Sequence, residues 1–326
     1  MGQGMGETPD SVENHEHDEN KHDSSTSSPK PNRPSRNPSR KQPQRPSRPS
    51  RWSLPLPIKR VFDRFPLVTY PENDLPQRAP RHRNENVLYI FQTTEPQSRD
   101  APSYNPTCLK WQAFLKFHGI PLRTRPSNNH ASPTGALPFL LPASDDPQRP
   151  ASPVSANRLT RWVVSQGGKE EAVHNGQDVY TALIDHDIRS AWLYYLYLDQ
   201  DNFQAVAWPL YVSSASTSYA VRSSLAYQLQ VAAREELLKT NTVIDGQALY
   251  RRAEEAFQSL STLLADQKFF FGQTTPGLFD ASVFAYTQTI LDDKLDWKQP
   301  ALRRSLEKHE NLVRHRARLM RGFFSD

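Results

Sequence analysis

From residue 87 onward the chain alternates short apolar runs with longer segments whose apolar residues recur every three or four positions. Val87–Phe91 (VLYIF) reads as a buried strand by length and β-propensity. A loop with Pro96, Pro102 and Pro106 leads into a helix from about Thr107 to His118, with Leu109, Phe114, Leu115 and Phe117 inward. Gly119 is placed as its C-cap and Pro121 lies just beyond. Leu122–Arg125 reads as a second strand. Residues 132–142 (SPTGALPFLLP) give a third, with a turn at Thr134-Gly135 and Pro138 at the strand's first positions, where proline is tolerated. An Asp- and Pro-rich loop (143–153) precedes a helix from Ser155, with Leu159, Trp162 and Val163 on one face. Strand, helix, strand, then strand, helix is a thioredoxin-like order.

Beyond residue 170 the period is helical. Val179, Leu183, Ile184, Ile188, Trp192, Tyr195 and Leu196 form one long stripe. A loop containing Asp201-Asn202, Trp208-Pro209 and Tyr211 is expected next. Helices come after it over roughly Ser218–Lys239 and from near Asp245, the latter with Leu249, Ala253, Phe257, Leu260 and Leu264 inward. In Phe269–Leu291 (FFFGQTTPGLFDASVFAYTQTIL), Gly272 breaks an aromatic run and Pro276-Gly277 supplies a turn. With Gly277 at the N-cap, Asp280 takes the third helical position, where its carboxylate reaches back to free amides. From there to Leu291 apolar residues fall on nearly every side, which predicts a central core helix. The last helix is expected from Leu302 to Phe324. Arg314, Arg316, Arg318 and Arg321 lie on its solvated face, and His309 and His315 at surface positions.

Composition changes the picture at the N-terminal end. With 28 Pro and 36% hydrophobic residues, part of the 326-residue chain is not expected to pack. Residues 1–23 carry seven acids against Lys21, and residues 24–51 carry eight bases and no acid, within a net charge of +5. Residues 1–51 therefore read as a disordered, low-complexity tail. No aromatic is interleaved before Trp52, so nucleic-acid binding is not expected, and the basic arm suits an anionic surface instead. Residues 52–86 read as an extended strap. Pro55 and Pro57 forbid a helix there, and Trp52, Leu54, Leu56, Ile58, Phe62 and Phe65 are its partner-binding candidates. Cys108 is the only cysteine, so no internal disulfide forms. No apolar run reaches the length of a membrane span, and neither a secretory leader nor an import presequence is expected.

A small αβ domain (87–170) followed by a helical one (171–326) resembles the glutathione transferase architecture. The predicted fold is α/β plus all-α: an N-terminal thioredoxin-like domain, then a C-terminal helical bundle, with the disordered tail in front. LPFLL preceded by Gly135 resembles the transferase strand that opens with a cis-proline, which would be Pro138. FFFGQTTPGLFDAS resembles the transferase core-helix box, with Gly272 in its turn and Asp280 as its carboxylate. Within that superfamily the chain looks most like the metaxins. SPTGALPFL, CLKWQAFLKFHGIP, YLYLDQDNFQAVAWPLY and HENLVRHRARL carry the likeness across most of residues 87–320. The resemblance implies a peripheral protein on the cytosolic face of the mitochondrial outer membrane, closest to the smaller fungal metaxin-like subunit of the sorting and assembly machinery. Its implied partners are a BamA-like barrel subunit, a second metaxin-like subunit, β-barrel precursors carrying a β-signal, and the membrane surface.

Transferase chemistry needs a hydroxyl or thiol near the end of the first strand, bonded to the glutathione sulfur. Thr93, Thr94, Ser98 and Tyr104 lie in that stretch, but three prolines make the loop unlike a tight turn. Transferases place Glu-Ser at the helix entry after the third strand; aligned on Leu159, the matching residues are Ser155 and Ala156. Ser155 is then expected to be only an N-cap, and Cys108, inside a helix, a buried thiol. No metal-ligand spacing, phosphate loop or triad is found, so no cofactor is expected. Two rivals stay open: a transferase-type enzyme with an atypical thiol site, and a soluble protein whose Arg-rich tail binds nucleic acid.

Overall fold

The computed structural model describes residues 85–93, 101–144 and 151–324. The expected tail and nearly all of the expected strap, including Trp52, Leu54, Leu56, Ile58, Phe62 and Phe65, lie outside the described residues, as do Thr94 and Ser98.

Strand β1 (Asn86–Ile90) is buried from Val87 onward, which is why it reads as a continuous apolar run rather than an alternation. Among the described residues four strands form one sheet in the order β2-β1-β3-β4. β2 (Leu122–Pro126) runs parallel to β1, β3 (Phe139–Leu141) antiparallel to β1, and β4 (Val154–Ser155) antiparallel to β3. The parallel pair needs a crossover, supplied by α1 (Pro106–Phe117). Between β2 and β3 the chain makes only a 3-10 turn, Asn129–Ala131. β4 is a two-residue bridge inside the segment expected to be a loop running into a helix; two residues carry no periodicity to read. The helix after it starts with a tight turn at Ala156–Arg158 and becomes α2 at Leu159–Ser165.

In the helical half, α3 covers residues 177–198, with wider π-type turns at Leu183–Ile188 and Tyr194–Leu198. The loop expected after it is instead helical. α4 covers residues 200–213, opened by Asp199, whose carboxylate accepts from Asn202 N at 3.0 Å. Pro209 sits in its π-type stretch, where widened turns accommodate the missing N–H. Burial of Phe203, Val206, Ala207 and Val212 outweighs the local breakers. α5 (Tyr219–Leu238), α6 (Gly246–Leu264) and α7 (Leu278–Leu291) come next. The expected last helix is two, α8 (Ala301–Glu307) and α9 (Glu310–Phe323), with the chain turning at Lys308 and His309.

Two apolar cores result. One gathers the sheet, α1 and α2; the other gathers α3 to α6 with α8. α7 belongs to both: Ala281, Phe284 and Ala285 face the sheet side, while Phe279, Val283, Ile290 and Leu291 face the helical side. A helix buried on most sides carries apolar residues on most sides, and its buried hydroxyls Ser282, Thr287 and Thr289 bond back to carbonyls of their own helix.

Candidate functional site

The start of α7 is a buried polar knot. Gly277 is extended at the N-cap (φ −114°, ψ −166°). Asp280 Oδ2 accepts from Gly277 N at 3.1 Å, and Asp280 Oδ1 accepts from Phe270 N at 3.1 Å. The same Oδ1 lies 2.8 Å from His315 Nε2 on α9, and both side chains are almost wholly buried. Because a carboxylate oxygen accepts, Nε2 carries the hydrogen; Nδ1 has no partner among the described residues. His315 is therefore no surface residue, and His309, 8% exposed, is buried too. A second carboxylate joins the knot: Glu171 Oε2 accepts from Leu278 N at 3.0 Å, with His118 Nε2 3.8 Å from Oε1. Beside it opens a hollow of about 420 Å3, lined among others by Phe117, His118, Glu171, Gln273 and Thr275. Phe271 nearby has a left-handed backbone (φ 57°), rare for a bulky residue, and its ring stacks on His174 at 4.7 Å. Gly272 comes next at φ 69°, where glycine is at no disadvantage.

The start of α1 lies where transferase chemistry would be sought. Asn105 caps it: Oδ1 accepts from Cys108 N at 3.2 Å, and Nδ2 donates to Tyr211 Oη at 3.3 Å. Tyr104 Oη donates to the Leu210 carbonyl at 3.5 Å. The rings of Phe91 and Tyr104 meet Tyr211 edge-on at 5.4 and 5.2 Å. Ser103 Oγ is tied into the same corner, donating to the Phe91 carbonyl at 2.5 Å and accepting from Asn105 N at 3.2 Å. Burial pushes the Cys108 thiol up to about 12, despite its bonds to Phe91 and Ser103, and raises Tyr211 as well. A thiol held neutral is a poor nucleophile.

Ser155 makes no capping bond, contrary to expectation; its Oγ donates to Asn157 Oδ1 at 2.6 Å. The Leu137–Pro138 peptide bond is cis, and Gly135 has φ 74°. Gly135 and Pro138 thus lie just ahead of the inner strand β3, and Gly272 and Asp280 at the α7 knot, as two separate places. Asn105, Glu171, Tyr211 and His315 are the site residues that sequence reasoning did not single out.

Comparisons with known proteins bear on both places. Residues 106–202 match the family model described as glutathione S-transferase N-terminal domain, and residues 253–319 match glutathione S-transferase, C-terminal domain. The chain is 26% identical to metaxin-3 of Xenopus laevis over 234 residues, 68% of this chain and 73% of that protein. It is 26% identical to metaxin-1 of Macaca fascicularis over 203 residues, 60% of this chain and 63% of that one. Human metaxin-1 is likewise 26% identical, with 43% of its length covered, so the chain spans less than two thirds of these metaxin-1 relatives. Among solved structures, glutathione transferase GSTFuA2 from Phanerochaete chrysosporium superposes with a TM-score of 0.47 at 13% identity, covering 74% of this chain and 99% of that one. On the metaxin relatives, the two domain models and the sheet and helix order, the chain resembles the metaxins and has a glutathione-transferase-like fold.

Proposed function

We propose that this chain is a non-enzymatic subunit of the mitochondrial outer-membrane sorting and assembly complex. It would sit peripherally on the cytosolic face, bind the BamA-like barrel subunit beside a second metaxin-like subunit, and help receive β-signal-bearing β-barrel precursors for insertion. The observation that carries this reading is the similarity to metaxins over 60–68% of the chain. The start of α1 supports the non-enzymatic part. Its amide is taken by Asn105, and the space is filled by rings from Phe91, Tyr104 and Tyr211. Among the described residues no helix is long and apolar enough to cross a membrane, which fits peripheral attachment.

The test is a tagged pull-down from digitonin-solubilised mitochondria with alkaline carbonate extraction alongside. Expected is recovery of a barrel protein and a second metaxin-like chain, with this chain released by carbonate. Deleting residues 52–70 should weaken that recovery; unchanged recovery removes the strap as a contact. Retention on glutathione resin with turnover of a generic electrophile would replace the whole reading with an atypical transferase.

A further inference from the structure

Lys110 on α1 ends in a cleft of about 130 Å3 between α1, α3 and α7. The cleft's polar lining comes from Thr107, Lys110, Asp185, Arg189, Ser282 and Tyr286. These groups are unevenly satisfied. Arg189 Nη1 donates to Glu236 Oε1 at 2.9 Å, and Ser282 Oγ donates to the Leu278 carbonyl at 2.9 Å. The Lys110 ammonium lies 5.6 Å from the centroid of the Trp111 ring, and among the described residues it makes no hydrogen bond or ion pair. The Tyr286 hydroxyl makes none either. Burial lowers the Lys110 pKa, and Asp185 opposes that shift only from a distance. A half-buried ammonium without a counter-ion is costly, and such groups are found paired.

A second hollow of about 260 Å3 adjoins the first, sharing Asp185 and Arg189 and continuing past Glu236 and Lys239. Here the charges are already matched: Glu236 is held by both Arg189 and Lys239, and those bonds lower its pKa. Together the hollows make a trough of alternating sign with one cation left over.

We infer that this trough docks an extended peptide segment of a partner protein, with an acidic side chain as its anchor on Lys110. The carboxylate meets the ammonium and the Tyr286 hydroxyl, both donors without a present acceptor. Asp185, on the opposite wall, accepts a peptide N–H and repels a bare anion. The adjoining hollow receives the flanking residues. This trough borders the first turn of α1 at Pro106 and Thr107 but shares none of its lining with the Tyr104–Tyr211 ring cluster or the Asp280 knot, and it stands whether or not the transport role does.

The test uses the full chain labelled with 5-fluorotryptophan and read by fluorine NMR. The six tryptophans give separate resonances, and Trp111→Phe assigns the reporter. Probes are the acetylated, amidated peptide Ala-Ala-Glu-Ala-Ala, its glutamine counterpart and inorganic phosphate. The Trp111 resonance should move saturably with the glutamate peptide. Losing one charge-assisted bond should weaken the response about tenfold or more, with the glutamine peptide or in Lys110→Met. Lys110→Arg should restore it. No saturable movement with the glutamate peptide, an equal response to the glutamine peptide, or an equal response in Lys110→Met overturns the inference. Saturation by phosphate at lower concentration than by the glutamate peptide overturns it in favour of a free-anion site. The glutamate-against-glutamine comparison uses the unsubstituted chain, so it decides even if Lys110→Met does not fold.

Discussion

Helices α1 and α7 face the same problem at their first turns, amide groups with no partner inside the helix, and they solve it with opposite chemistry. α7 uses carboxylates. Asp280 and Glu171 take Gly277 N and Leu278 N, and Asp280 also ties in Phe270 N and His315. Four separate stretches of chain are thereby locked together. α1 uses neutral groups: an asparagine side chain, two tyrosine hydroxyls and a ring cluster. The first arrangement is scaffolding that a stable core demands. The second closes the Cys108 amide with a neutral side chain and packs aromatic rings around it, with no charge involved.

The largest expected effect is alkaline, and the α1 end shares it with the buried Tyr195, Tyr250 and Tyr286 of the helical half, which burial also raises. Burial holds Cys108 and Tyr197 neutral up to about 12, and raises Tyr211 too, all at the α1 end. The unfolded chain loses these protons near 9.0 for the thiol and 10.0 for the phenols. It then binds fewer protons than the folded chain, so stability falls as pH rises. The loss should begin above pH 9 and run at ~1.4 kcal/mol per pH unit for each group, towards pH 12. Urea unfolding at pH 8, 10 and 11 measures it, and a flat profile would show that the cluster is wet. Next in size, Asp280→Ala should lower stability by ~3–5 kcal/mol, because it strands a buried histidine and two amides. Asp280→Asn, which keeps one acceptor oxygen, should lose less. Shifted urea midpoints at constant slope are the readout, and a loss below ~1 kcal/mol would deny the knot its role. Smallest, Asn105→Ala should cost about 1 kcal/mol, the ordinary value of a neutral cap. A much larger loss would mean that α1 leans on Tyr211 as α7 leans on His315.

How far the sequence spoke differs between the two ends. At α7 the spacing from Gly277 to Asp280 is local, and the cap is legible from it. His315 was legible as well, since it falls on the stripe Leu312, His315, Leu319, all buried. Reading it as a surface residue lets side-chain polarity override position. At α1 the Asn105-Pro106 pair carries a cap and a first-turn proline. Tyr211, however, lies 106 residues from Asn105, and no local pattern can announce that contact. Glu171 is 107 residues from Leu278 and equally silent. Pro209 and Asp201-Asn202 argue locally for a loop, yet burial of Phe203 and Val206 holds that stretch helical. Local chemistry thus shows which ends need partners; the identity of distant partners comes only from the packing.

That α7 serves both cores also sets a clock on the chain's synthesis. β4 ends at Ser155 and α7 ends at Leu291, about 140 residues later. At the usual pace of synthesis this separates them by about 7–30 s. For most of that interval the strands of the sheet and α1 are already made while Ala281, Phe284 and Ala285, which close their core, are not. The first half of this protein therefore waits, apolar side uncovered, for a helix from the second half. A chaperone able to shield it for that time would be part of how the molecule comes into being.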